Sequence, residues 1–203
     1  MRNVLVLWLF GLMAAAPAAA APVILVLGDS LASGYGLPTG KGWVSLLETR
    51  LTDKGYPHRI VNASVSGETT LGGRNRIQQA LKEHRPGIVI VELGGNDGLR
   101  GLSLESSRNN LTEIIQASKA AGARVLLVGV RLPPNYGRAY TEKFQQLFKD
   151  VAARERVALA PFLMEGFAED QAYFQPDGIH PAESAQPRML DNVWPALEPL
   201  LRR

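Results

Sequence analysis

Three apolar runs without a polar break constrain the fold of this chain more than any other feature. Val23-Ile24-Leu25-Val26-Leu27 lies between Pro22 and Gly28, and Ile88-Val89-Ile90-Val91 and Val125-Leu126-Leu127-Val128-Gly129-Val130 are built alike. A strand with one wet face alternates apolar and polar residues, so runs of this kind belong to strands buried on both faces. Shorter strand candidates lie around Ile60-Val61 and from Val157 to Ala160. Helical stripes fall between them. Trp43, Val44, Leu47 and Leu51 precede a stop at Gly55, and Ile77 and Leu81 precede Pro86. Leu104, Leu111, Ile114, Ile115 and Ala121 close at Gly122, and Tyr140, Phe144, Leu147, Phe148 and Val151 form the clearest amphipathic stripe, read as core. The tail from Pro187 onward reads as helix, interrupted at Pro195. Five strands alternating with helices predict an α/β fold: a three-layer α/β/α sandwich on a five-stranded parallel sheet, flavodoxin-like.

The chain has 203 residues, the length of one ordinary domain. Met1-Arg2-Asn3, an apolar stretch from Val4 to Met13 and an Ala-Pro tract with Ala-x-Ala spacing describe a secretory signal peptide. Cleavage is expected after Ala20, giving a leader over 1–20 and a domain over 21–203, exported to the periplasm or the medium. The stretch is too short to span a bilayer, so no stable membrane insertion is expected once it is removed. Losing Arg2 lowers the formal net charge from +3 to +2, and the remaining Lys and Arg are spread along the chain. Nucleic-acid binders concentrate them on one face, so no nucleic-acid partner is expected. The absence of cysteine excludes thiol catalysis, Cys-based metal sites and disulfides. A monomer is expected.

Polar residues follow the strands where a core would not want them. Gly28-Asp29-Ser30 ends the first run, Asn62-Ala63-Ser64-Val65-Ser66-Gly67-Glu68-Thr69 follows the second strand, and Gly94-Gly95-Asn96-Asp97 follows the third. Asp177-Gly178-Ile179-His180-Pro181 comes near the end. In a doubly wound sheet the carboxyl ends of the strands share one edge, where ligands bind, so these loops can converge. Serine becomes a nucleophile when a base takes its proton, and histidine is the usual base. A carboxylate on the other ring nitrogen fixes the tautomer and stabilises the imidazolium. Asp177 and His180, three residues apart, suit a turn that joins them. The backbone N–H groups of Ser30 and Gly67 and the side-chain amide of Asn96 suit an oxyanion hole. Simpler readings stand beside these: Ser30 as a helix N-cap, Asn96 as a turn residue, and Asp177 with His180 as two ligands of a metal. No third ligand is spaced nearby, and neither a metal nor a cofactor is expected. Asp29 and Asp97 are given support roles, holding their loops through backbone contacts.

Gly28-Asp29-Ser30-Leu31, Gly67, Gly95-Asn96-Asp97 and Asp177-Gly178-Ile179-His180 resemble, in order, the four blocks of the SGNH (GDSL) hydrolase family. The stretches Asn62-Ala63-Ser64-Val65-Ser66-Gly67, Glu92 to Gly101 and Leu132-Pro133-Pro134-Asn135-Tyr136-Gly137 are similar to its periplasmic acyl-CoA thioesterase/lysophospholipase branch. That resemblance implies Ser30 as nucleophile, His180 as base, Asp177 as its orienting carboxylate, and Ser30, Gly67 and Asn96 as oxyanion donors. It further implies small acyl ester and thioester substrates, and a loop from Gly98 to Ser103 that moves when an acyl chain binds. Leu99, Leu102, Phe162 and Phe167 are candidate acyl-binding residues, the last two within the apolar stretch before the Asp–His pair.

A carbohydrate acetylesterase is the alternative enzyme on this framework. A non-catalytic binding module is the alternative of another class. It predicts a phosphate loop, and neither G-x-G-x-x-G nor G-x-x-x-x-G-K-[ST] occurs; the G-x-S-x-G elbow is absent too.

Overall fold

Alternating burial explains the unbroken apolar runs. In the computed structural model, which describes residues 21–202, Leu25 and Leu27 of the first strand enter one core and Ile24 and Val26 enter another. Successive side chains of a strand point to opposite faces, so a sheet covered on both sides needs apolar residues at every position. The strands are β1 (Val23–Gly28), β2 (Arg59–Asn62), β3 (Ile88–Glu92), β4 (Arg124–Val128) and β5 (Ala158–Ala160). They form one parallel sheet in the order β2-β1-β3-β4-β5. The expected three-layer sandwich is the observed fold.

The helices are α1 (Ser30–Ser33), α2 (Trp43–Asp53), α3 (Thr70–His84), α4 (Gly95–Leu99), α5 (Leu104–Ala120), α6 (Arg138–Glu155) and α7 (Gln186–Leu201). One layer packs Ile77, Leu111, Ile114, Phe144, Leu147 and Phe148 of α3, α5 and α6 on the sheet; the other packs Trp43, Leu47, Met189, Val193 and Leu197 of α2 and α7. The strand order reverses between β1 and β3, which makes the gap beyond their carboxyl ends the crevice of the sheet. Ser30 leaves β1 and Asn96 leaves β3 at that gap.

Several element ends shift by a residue or two from the sequence reading, and two of the differences bear on packing. β4 ends at Val128, short of Val130, because its partner β5 ends at Ala160 and a Cβ on Gly129 would lie 2.2 Å from the Pro161 carbonyl oxygen. The last helix starts at Gln186 and runs on through Pro195 and Pro199. Both prolines lie on its exposed face, four residues apart, so the carbonyls they leave unpaired face water while Val193, Leu197 and Leu201 stay buried. The leader expected over 1–20 lies outside the described residues. Among those described, no helix is long and apolar enough to cross a membrane.

Candidate active site

β1 stops at Gly28, and Asp29 turns the chain into α1. The Asp29 carboxylate accepts the Leu31 N–H through Oδ1 at 3.0 Å, which makes Asp29 the N-cap of α1. Ser30 is therefore not the cap, contrary to the simpler reading of it; it is the first helical residue, and its hydroxyl is left for other partners. His180 takes it: Ser30 Oγ lies 2.9 Å from His180 Nε2. On the other side of the ring, Nδ1 lies 2.7 Å from Asp177 Oδ2. Nδ1–H donates to the carboxylate, which leaves Nε2 to accept the serine proton.

The turn that presents His180 is built by Asp177 itself. Its Oδ1 accepts the backbone N–H groups of Ile179 at 2.9 Å and His180 at 3.0 Å. These bonds, the His180 backbone first and its ring next, hold the Asp177 carboxyl down to about 2. Gln175 ties the turn to the loop after α1. Its backbone N–H donates to the His180 carbonyl at 2.8 Å, and its side-chain amide donates to the carbonyls of Tyr35 at 2.8 Å and Pro181 at 3.2 Å. The Tyr35 ring lies 4.5 Å from the imidazole. Among the described residues no third His, Cys, Asp or Glu joins Asp177 and His180 in a group suited to a metal.

The donor loops are cross-linked to α1. Asn62 Nδ2 donates to the Ala32 carbonyl at 2.8 Å, Ser33 Oγ meets Ser66 Oγ at 3.0 Å, and Asn96 Nδ2 donates to Asp29 Oδ2 at 3.1 Å. One amide hydrogen of Asn96 is thereby committed, and the amide carries a second for a substrate oxygen. Arg100 donates to the Gly67 carbonyl at 3.1 Å and so joins two of the donor loops. Asn96 sits on α4, which begins after Gly94, a residue at φ +117° whose Cβ would lie 2.9 Å from the Phe148 ring. Asp97 anchors this short helix. Buried to 2 % exposure, it accepts from the Thr70 N–H at 2.9 Å, from the Thr70 hydroxyl and from Ser107 Oγ at 3.0 Å. The support role assigned to Asp97 thus reaches α3 and α5, well beyond its neighbouring backbone.

Leu99 and Leu102 are exposed beside Asn96. Phe162 and Phe167 are buried, Phe162 beneath the Arg131 guanidinium and Phe167 against Tyr173 and Phe174. Both edge a recess of about 420 Å³ shared with Arg131 and Met164, whereas the shallow recess at Ser30 is lined by Leu31, Tyr35, Leu37, His180 and Pro181. The structure gathers Ser30, Asp177 and His180 with the Gly67 and Asn96 loops, and it does not bring the two phenylalanines to the recess at Ser30. They belong instead to the segment that follows β5, with Phe167 in the core that α2 and α7 share.

Sequence reasoning gave no role to Glu92, a fully buried acid beneath Asp29. Its signal was a carboxylate ending an otherwise apolar strand. Burial raises both carboxyls: Asp29 goes from 3.8 to about 6, and Glu92 is pushed well above its ordinary range, by burial first and the Asp29 charge second.

The sequence profile of the GDSL-like lipase/acylhydrolase family matches residues 26–186. Esterase TesA of Pseudomonas aeruginosa is 52 % identical over 183 residues, 90 % of this chain and 91 % of the relative. Thioesterase 1/protease 1/lysophospholipase L1 of Escherichia coli K12 is 44 % identical over 184 residues, 91 % of this chain and 87 % of the relative. The crystal structure of TesA superposes with a TM-score of 0.86 at 52 % identity, covering 88 % of this chain and 99 % of that one.

Proposed function

The chain belongs to the GDSL-like lipase/acylhydrolase family, an enzyme of the esterase/thioesterase kind, and on that premise we propose that it transfers acyl groups from oxyesters and thioesters to water through Ser30. The observation that carries this reading is the unbroken chain Asp177–His180–Ser30, bonded at 2.7 and 2.9 Å across 150 residues of sequence.

Ser30 Oγ attacks the acyl carbonyl carbon as its proton passes to His180 Nε2. Asp177 keeps the ring in the required tautomer and balances the imidazolium. The carbonyl oxygen becomes an oxyanion held by the N–H groups of Ser30 and Gly67 and by the second amide hydrogen of Asn96. Collapse expels the alcohol or thiol, which takes the proton back from Nε2. Water, deprotonated by the same nitrogen, then releases the acid from the acyl-enzyme. Leu99 and Leu102 give the acyl chain an apolar path, and the segment from Gly98 to Ser103, whose first two residues end α4, closes on it; Phe162 and Phe167, which line a separate recess with Arg131 and Met164, take no part. The leader pattern over 1–20 supports export before the enzyme acts.

Ser30→Ala, folded, is expected to lose about a million-fold in kcat on p-nitrophenyl esters. It should also escape labelling by a fluorophosphonate. Turnover near the wild-type rate would discard the assignment.

A further inference from the structure

Glu92 closes an apolar strand with an acid that is 1 % exposed, and no step of acyl transfer uses it. The parallel register sets it beside Gly28, and the missing side chain there makes its room. A Cβ on Gly28 would lie 2.9 Å from Glu92 Oε2, 2.9 Å from Ser64 Oγ and 2.7 Å from the Ala32 Cβ. The carboxyl thus passes under the Gly28-Asp29-Ser30 turn. It accepts the Asp29 N–H at 3.4 Å through Oε2, and its carboxyl faces that of Asp29, each acting on the other's titration.

Two buried carboxylates facing each other cannot both ionise, so one of them keeps a proton. Glu92, the deeper one, holds the proton and donates it to Asp29. Asp29 stays the acceptor, with Oδ1 on the Leu31 N–H at 3.0 Å and Oδ2 on the Asn96 amide at 3.1 Å. The titratable groups facing this pair are each other and His180, whose charge acts on Asp29; Ala32, Ser64 and Asn96 bring none. Stability alone does not call for such an acid, since apolar replacement of buried ionisable groups is often neutral or favourable.

We propose that Glu92 is a positioning residue for acyl transfer: by gripping Asp29 from below it fixes the Asn96 amide and the first turn of α1 in the geometry the oxyanion requires. The inference rests on Asn96 as an oxyanion donor.

Steady-state kinetics of the purified protein on a p-nitrophenyl ester, over a pH series, test it. Glu92→Leu should lower kcat by about 10- to 100-fold with KM changed less than about twofold. Its acid limb should move to higher pH, because Asp29 loses a donor to its charged form. Glu92→Gln should restore kcat to within about fivefold of wild type, since the amide still donates to Asp29 and still accepts its N–H. Added to Asn96→Ala, Glu92→Leu should cost less than about threefold more, because the two losses share one cause. A wild-type kcat in Glu92→Leu, equal losses in the Leu and Gln variants, or losses that multiply with Asn96→Ala would each overturn the positioning role. Should Glu92→Leu lack the wild-type circular dichroism, Glu92→Met is judged by the same criteria, and failure of both to fold makes Glu92 a core residue and overturns the role. An unchanged kcat in Asn96→Ala overturns the oxyanion reading and this inference together. A loss there beside a wild-type Glu92→Leu overturns this inference alone.

Discussion

The turn carrying Asp177 lies at the surface, with the side chain 39 % exposed, whereas the junction carrying Asp29 is sealed at 2 % exposure beneath the sheet edge. Both aspartates serve the surroundings of Ser30, and both are acceptors in short local turns. Asp177 accepts two backbone N–H groups and the imidazole; Asp29 accepts one backbone N–H, the Asn96 amide and the Glu92 carboxyl. The donor counts match, yet one carboxyl is pulled down to about 2 and the other pushed up to about 6. Dehydration therefore decides the sign: hydrogen bonds hold the charge at the wet turn, and at the dry junction they only partly offset the cost of burying it.

Asp177→Asn breaks the comparison at its wet end. The amide can keep Oδ1 toward the Ile179 and Ile179-adjacent His180 backbone donors, but it then turns an N–H toward Nδ1 and enforces the wrong tautomer. The same change in a serine protease costs about 10⁴ in kcat. A loss of about 10³- to 10⁴-fold with unchanged circular dichroism is expected, and a loss under tenfold would show the carboxylate to be a turn-former only.

The dry end is read through stability against pH. Asp29, raised by folding, contributes stability that is complete below its unfolded value near 4 and is lost as pH rises through about 6. A displacement of this size corresponds to about 3 kcal/mol at most. Asp177, lowered by folding, contributes in the opposite sense: its share is present above about 4 and is lost as pH falls through about 2. Urea unfolding from pH 4 to 7 should show a shallower fall in Asp29→Asn than in wild type. The remaining fall belongs to Glu92. Identical slopes would refute the buried assignment of Asp29.

The smallest expected effect sharpens the contrast by loosening the wet turn without touching its charge. Gln175→Ala removes the side-chain bonds to the Tyr35 and Pro181 carbonyls. Each such bond contributes about 1 kcal/mol, so kcat should fall a few-fold and the protein should be modestly destabilised. A kcat as low as that of Asp177→Asn would mean that Gln175 does more than brace.

Why some of this was legible in sequence follows from how local each feature is. The apolar runs at Val23, Ile88 and Val125 declare strands because a doubly covered sheet imposes its pattern on consecutive residues. Ser30, Asp177 and His180 stand out as polar residues at strand ends or before a proline, and the order of the four blocks adds their grouping. α1 and α4 have four and five residues, too few to show a helical period. Pro195 reads as a break because sequence cannot tell that its freed carbonyl faces water. Glu92 stayed without a role because its meaning lies in register, beside Gly28 and 63 residues from the Asp29 it grips.

The crowding at Gly28 carries a consequence for how such a chain can change over generations. Residue 28 has no space of its own; the Glu92 carboxyl, the Ser64 hydroxyl and the Ala32 methyl occupy it. Positions in one contact couple, so the effect of a substitution depends on what its neighbours already are. Gly28→Ala is expected to be harmful in the present background, and shortening residue 92 alone relieves only one of the three contacts, since the Ala32 Cβ at 2.7 Å and the Ser64 Oγ at 2.9 Å stay in place. Residue 28 can therefore grow only together with changes at all three of its neighbours, and no single step prepares the way. A mutant library that varies the Gly-Asp-Ser turn alone would sample mostly dead ends, whereas one that varies positions 28, 32, 64 and 92 together would reach sequences that no single step can.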